Sequence, residues 1–376
     1  MYKHELYKIF TKKSLYITFF LIVLLLVFAN RESILDWVMK DEIYDELYQT
    51  HGGPVTEELE LMVREQMRAS DAGEVSVDQA TGDVQFLVAM SGLNLEQLEE
   101  RKEFLASKIE TLDQTTHQYL EATKELEMLK ELGNPYGFYL IQAWTGMMDL
   151  IEPFFSVVLI AIMILLGLSP VFAEDHAQKT IGLVLATKHG KKSLVTSKIL
   201  ASITYIGVVF ISLHFTNFLI QLNGYGGLHG WNAPMQSLVN YPSDYSMSPF
   251  NLNVRQFYFI MLMVQFIAGV AFGVLVLCLS NLTKNYLMTF FVSGSILGLP
   301  FILRQIGLDH GFFKTFNLFS YLEFIRIERL FDQFRTFSFF GQPILYPTYL
   351  IGVFGLVTIL LLGVLYYRSK HQQVTT

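Results

Sequence analysis

Apolar residues gather into six runs, at 14–30, 153–173, about 199–220, 257–280, 286–303 and 348–367. A bilayer's hydrocarbon core needs about 20 apolar residues in helical form, so each run predicts a transmembrane helix. Between the second and third runs lies a polar island, residues 174–198, with lysines at 179, 188, 191, 192 and 198. Inside it Ile181, Val184 and Leu185 keep the i, i+3, i+4 spacing of a short amphipathic helix, which Gly190 is expected to stop. Residues 1–13 alternate Tyr2, Leu6, Ile9 and Phe10 with Lys3, Lys8, Lys12 and Lys13. That pattern predicts an amphipathic helix lying at the membrane interface.

The stretch between the first two runs reads as helical and water-exposed. Residues 55–70 carry Leu59, Met62, Val63 and Met67 on one face, and 71–83 read as a loop. A long helix is expected from Leu93 to Leu132, with Asn94 as its N-cap and Gly133-Asn134-Pro135 as its stop. Leu98, Leu105, Leu112, Tyr119 and Leu126 recur every seven residues, but the second heptad seam is polar. An antiparallel hairpin with the 55–70 helix fits that pattern better than a coiled coil. Residues 136–152, with Trp144, are expected to lie on the outer membrane surface. Residues 304–346 interleave Glu323, Arg326, Glu328, Arg329, Asp332 and Arg335 with Phe and Leu, and predict short helices dipping into the outer leaflet.

Charge turns these runs into a topology. The chain of 376 residues has a net charge of −7, yet residues 32–152 hold 26 acidic and 8 basic residues, a net −18. The remainder carries 19 basic and 8 acidic residues, a net +11. Two compartments follow. With both ends inside, the short cytoplasmic segments hold twelve Lys and Arg, against six in the two short external loops. The single cysteine, Cys278, excludes an intrachain disulfide. Asn30-Arg31-Glu32 after the first run is not a signal-peptide cleavage site, so that run is read as a retained helix.

Several chemistries are missing. Gly190-Lys191-Lys192-Ser193 lacks the earlier glycine and the Lys-Ser/Thr register of a nucleotide-binding P-loop. His4-Glu5 has no second histidine four residues on, and no Gly-x-Ser-x-Gly occurs. Glu174-Asp175-His176 could suggest a metal or catalytic cluster, but at the foot of a span beside a basic loop it reads better as a docking element. No catalytic, cofactor-binding or metal site is therefore expected in this chain.

Glu174, Thr180, the apolar stretch to Leu185, the basic pair Lys191–Lys192 and Lys198 together resemble the coupling loop of type-2 ABC exporter permeases. Lys179 stands where that family usually has Gly, and no Pro precedes the basic pair. The resemblance implies an all-α polytopic membrane protein with six transmembrane helices. It also implies an N-terminal elbow helix and re-entrant helices before the last span; the helical extracellular domain at 32–152 lies outside the resemblance and is read from the residues alone. The divisions are 1–31 (elbow and first span), 32–152 (extracellular domain) and 153–376 (five spans, with the coupling loop 174–198 and the re-entrant region 304–346).

On that resemblance, Glu174, Thr180, Ile181, Val184, Leu185, Lys191, Lys192 and Lys198 would couple to an ATPase. Ser293, Gly294 and Gly298 of the fifth span would line a substrate path; His214 and Asn217 in the third span read first as helix-to-helix hydrogen-bonding groups, with a place on that path as the alternative. ATP and magnesium would sit on two separate ATP-binding cassette subunits, beside a second permease subunit, identical or homologous, and membrane lipids. The acidic patch Glu96, Glu99, Glu100 and Glu103 points to a cationic or amphipathic peptide as substrate, otherwise a lipid or drug-like molecule. The alternative is a membrane sensor whose ectodomain binds a ligand and whose cytoplasmic loop recruits a regulator.

Overall fold

The computed structural model describes residues 1–31, 42–72, 77–151, 154–177, 190–225, 227–240 and 243–371. Within them five helices are long and apolar enough to cross a membrane: Val157–Ala177, Lys192–Tyr225, Val254–Thr283, Tyr286–Gln305 and Tyr346–His371. A sixth crossing is reached if the bent pair Tyr2–Phe10 and Lys13–Ala29, inclined at 59°, counts as one. The protein is a mostly helical membrane protein.

In chain order the first helices are α1 (Tyr2–Phe10), α2 (Lys13–Ala29), α3 (Glu42–His51), α4 (Glu57–Asp71), α5 (Gln79–Thr111) and α6 (His117–Glu131). There follow α7 (Gln142–Met148), α8 (Phe154–Leu168), α9 (Pro170–Ala177), α10 (Gly190–Tyr225), α11 (Val254–Thr283) and α12 (Tyr286–Gln305). The chain closes through α13 (Gly311–Leu318), α14 (Tyr321–Arg326), α15 (Glu328–Phe331) and α16 (Tyr346–His371). Among the described residues there are also three two-stranded antiparallel ribbons: β1 (Gly53–Pro54) with β2 (Gly137–Phe138), β3 (Val239–Asn240) with β4 (Ser243–Asp244), and β5 (Thr336–Phe339) with β6 (Gln342–Leu345).

The largest core is built where α8, α10 and α11 meet, with Leu168, Tyr205, Leu213, Phe257 and Phe272 sealed inside it. Gly273 permits that approach, because a Cβ there would stand 2.6 Å from Ile206 Cδ1. The second glycine pair of the sequence behaves differently: Gly298 faces open space, and Gly294 meets only Leu165 at 3.9 Å. The tight turn expected near Asn281–Asn285 is present. Lys284 takes a left-handed conformation (φ 54°) to end α11, and the Asn285 side chain caps α12 by accepting from the Met288 amide at 3.1 Å.

Three expectations are corrected here. The helix foreseen over Leu93–Leu132 is two helices, because Asp113 accepts from both the Thr115 amide and its hydroxyl. Thr116 then caps the next helix by accepting from the Tyr119 amide. Such local bonds compete with helix continuation. Leu98 and Leu105 of α5 consequently pack against Ala122, Leu126 and Leu129 of α6. The N-cap of α5 is Asp78, not Asn94, so the supposed loop 71–83 ends five residues early. Helix α10 begins at Gly190, well before residue 199, and the short helix that Gly190 is expected to stop lies outside the described residues. The foreseen 55–70 helix is present as α4, capped by Thr56.

Trp144 is buried, and its indole Nε1 donates to the His229 carbonyl at 2.9 Å. The α7 segment therefore packs beneath the 227–238 loop and does not lie open on a surface. In the region of α13–α15, Glu323 is buried against the Arg304 guanidinium, with Arg326 at 3.9 Å.

Candidate functional site

At the end of the bundle where α1, α9 and α10 converge, buried charge is concentrated. Helix α1 places Glu5 and Ile9 four residues apart on one face, and that face lies against α10. Tyr2 OH meets Thr204 Oγ1 at 2.9 Å, which fixes the start of the helix on its neighbour. Lys8 and Lys12 then project towards α9.

The centre of the site is Lys198, which has no solvent exposure at all. Its ammonium lies 2.7 Å from Asp175 Oδ2 and 2.8 Å from Glu5 Oε2, and also donates to the Val171 carbonyl. Lys8 completes the set, 2.9 Å from Asp175 Oδ1 and 3.2 Å from Glu5 Oε1. Two cations thus alternate with two carboxylates, so the buried charge is balanced. The Phe172 ring covers the Lys198 ammonium at 5.1 Å. Beside this quartet, Lys12 Nζ reaches Glu174 Oε1 at 2.9 Å.

The two peripheral lysines respond oppositely to their surroundings. Burial works against the Lys8 ammonium, but Asp175 and Glu5 outweigh it and hold its pKa above the usual 10.5. For Lys12 burial prevails over Glu174, and its pKa falls below that value.

The carboxylates of α9 are aimed by a built-in break. Pro170 has no amide hydrogen and disrupts the helical ladder between α8 and α9. Ser280 of α11 repairs it: its Oγ accepts from the Phe172 and Ala173 amides at 3.1 Å and donates to the Ser169 carbonyl at 2.6 Å. The hydroxyl of a neighbouring helix thus satisfies backbone groups at the break. Beyond it, Glu174 and Asp175 of α9 meet Lys12 and Lys8.

Of the residues expected to couple to a partner, Glu174 is described as bonded to Lys12, and Lys198 is internal. Lys192 is exposed near the end of α16. The side chain of Lys191, and Thr180, Ile181, Val184 and Leu185 altogether, lie outside the described residues. So does the short helix foreseen over 177–187. Glu174 and Lys198 stand on the two stems that enter and leave segment 178–189, and the quartet joins those stems to α1.

The five residues expected along a substrate path sit in three different surroundings. His214 is buried with Nε2 2.8 Å from Gln265 Oε1. Asn217 donates to the Gly146 and Met147 carbonyls of α7 at 3.1 and 3.2 Å. Gln221, one turn further, donates to Asn30 Oδ1 at 2.7 Å and to Asn217 Oδ1. These groups glue α10 to α2, α7 and α11. Ser293 is buried, while Gly294 and Gly298 edge a shallow apolar groove on α12 beside Phe290, Phe291 and Ile302. Glu96, Glu99, Glu100 and Glu103 are all exposed along α5.

Glu5, and the pairing of Lys8 and Asp175 with it and with Lys198, escaped the sequence reading, which places Lys8 on an interfacial helix and Asp175 in a docking element. A signal existed: Glu5 is the one acidic residue among the first 31, in a segment otherwise basic. No group of three or more His, Cys, Asp or Glu suited to a metal occurs among the described residues. No family model, curated protein or solved structure matches the chain.

Proposed function

We propose that this chain is the membrane-spanning subunit of an ATP-driven exporter of the type-2 ABC kind. In this reading the chain crosses the membrane six times, with both ends in the cytoplasm, and residues 32–152 lie outside. Segment 178–189 docks on a separate ATPase. The observation that carries the reading is the quartet Glu5, Lys8, Asp175 and Lys198, which locks α1 to both stems of that segment. A loop that merely joins two helices does not need a buried ionic brace, whereas a loop that transmits force does. When the ATPase pair closes and pushes on 178–189, the brace makes α1, α9 and α10 move together. The push then reaches α8 and α11 through the Pro170–Ser280 joint.

Roles divide accordingly. Glu174, Lys191, Lys192 and the 180–185 stretch lie at or near the contact, and Lys198 acts behind it as a positioning residue. Two ATPase subunits and a second permease chain complete the machine, and ATP and magnesium reside on the ATPase. The acidic outer domain favours a cationic, amphipathic peptide as cargo.

The test is affinity purification of the full chain from its own membranes, with identification of every copurifying subunit. The reading predicts a soluble ATPase carrying a nucleotide-binding P-loop. Recovery of a regulator without such a motif would favour the sensor alternative and overturn it.

A further inference from the structure

Helix α5 has two apolar faces. One is buried: Val84, Val88, Leu98 and Leu105 pack on α4 and α6. On the opposite side Phe86, Met90, Leu93, Gln97, Glu100 and Phe104 follow the 3.6-residue period and fall in one stripe. Phe86 is 56% exposed, Met90 38%, Leu93 43% and Phe104 54%. At 1.5 Å per residue, the stripe is about 27 Å long. Its second half includes Glu100 and is bordered by Glu96 and Glu103, all exposed.

A row of large apolar groups on a domain otherwise covered in acid is an unusual surface, and its charge narrows what can cover it. A second copy would bring the same acidic stripe, and an anionic lipid surface would bring more negative charge. Both are repelled. We propose that the outward stripe of α5 is the receptor for a cationic amphipathic helix, about five turns long. Its apolar residues would seat between Phe86 and Phe104, and its Lys or Arg would meet Glu96, Glu100 and Glu103. Anchors at i, i+3, i+4 and i+7 on such a ligand match the stripe's own spacing. Arg101 pairs with Glu125 at 2.7 Å across the α5–α6 hairpin, its guanidinium 5.5 Å from the Phe104 ring, and not with Glu96, Glu100 or Glu103.

This inference names where the cargo would first bind and rests on the exporter reading for its purpose, but binding is measurable without transport. The experiment uses the full chain in phosphatidylcholine nanodiscs and a fluorescent 18-residue peptide with Leu on one helical face and Lys on the other. Fluorescence anisotropy reports the dissociation constant. The wild-type chain should bind, more weakly as salt rises. Phe86→Ser with Met90→Ser and Leu93→Ser should weaken binding at least tenfold. Glu96→Gln with Glu100→Gln and Glu103→Gln should weaken it similarly and flatten the salt dependence. Phe86→Leu should restore most of the affinity, and circular dichroism should show the variants folded.

Equal binding of a Glu-for-Lys peptide would overturn the proposal, as would binding unchanged in both variant sets or fully accounted for by empty nanodiscs. Chain dimers that disappear in the serine variant would assign the stripe to a second copy and overturn it too. Peptide that binds here yet is not exported by the complex would leave the receptor standing and defeat the exporter reading instead.

Discussion

Lys198 and Asp175 lie 2.7 Å apart across two helices, and Lys198 has no contact with solvent. Removing one partner of a buried pair leaves a stranded charge, which typically costs about 3–5 kcal/mol. Lys198→Met should therefore lower stability by about that much in thermal unfolding of the detergent-solubilised chain. Lys192→Ala, on the exposed side of the same helix, should change it by less than about 0.5 kcal/mol. Equal effects would mean that the quartet is not a brace.

The brace also carries a pH signature. A lysine whose folded pKa is raised contributes stability that is fully present below its unfolded value, and loses it as pH rises through the folded one. Lys8 is such a group, held above 10.5 by Asp175 and Glu5. The stability difference between wild type and Lys8→Met should be constant at neutral pH and shrink only above 10.5. Lys12 has the opposite sign: its pKa is lowered, so the strain of burying its charge is relieved as pH climbs towards 10.5. Unfolding midpoints of both variants across pH 7–11 separate the two contributions. A Lys8 difference that vanishes below pH 9 would contradict the assignment.

Ser280 offers a test of the joint between α8 and α9. Ser280→Ala leaves two buried amides without their acceptor and should destabilise the chain by about 1–3 kcal/mol. A nearly neutral result would show that the Pro170 break is satisfied in another way.

Much of the fold was legible in the residues, and what was hidden has identifiable causes. Apolar runs of 17–24 residues announced helices, five of which are long and apolar enough to cross a membrane, and the alternating Tyr2–Phe10 pattern announced α1. The break at Leu112–Thr116 was masked by a heptad that runs across it, because Leu98 and Leu105 belong to one arm of a hairpin and Leu126 to the other. Lys198 looked like a loop lysine, since a sequence cannot show that Glu5, 193 positions away, will bury it. Trp144 looked interfacial, although the 227–238 loop folds over it. Gly190 carries the stop signal of a helix end, yet it stands at the start of a helix set by the apolar residues beyond it.

Topology is tested by labelling. In a Cys278→Ser background, a cysteine at Gln79 or Asn240 should react with an impermeant thiol reagent on intact cells, and one at His189 should react only after permeabilisation. Reaction at 189 from outside would invert the arrangement.

The central claim is that segment 178–189, held by the quartet at its base, is where an ATPase docks. The direct measurement places a photo-crosslinking residue at Val184 in the full chain, irradiates intact cells, and identifies what is captured. The account predicts a soluble P-loop ATPase, captured at several-fold lower yield when Lys198→Met loosens the brace but the chain remains inserted. Capture of a protein without a nucleotide-binding motif, or a yield unaffected by Lys198→Met, would contradict it.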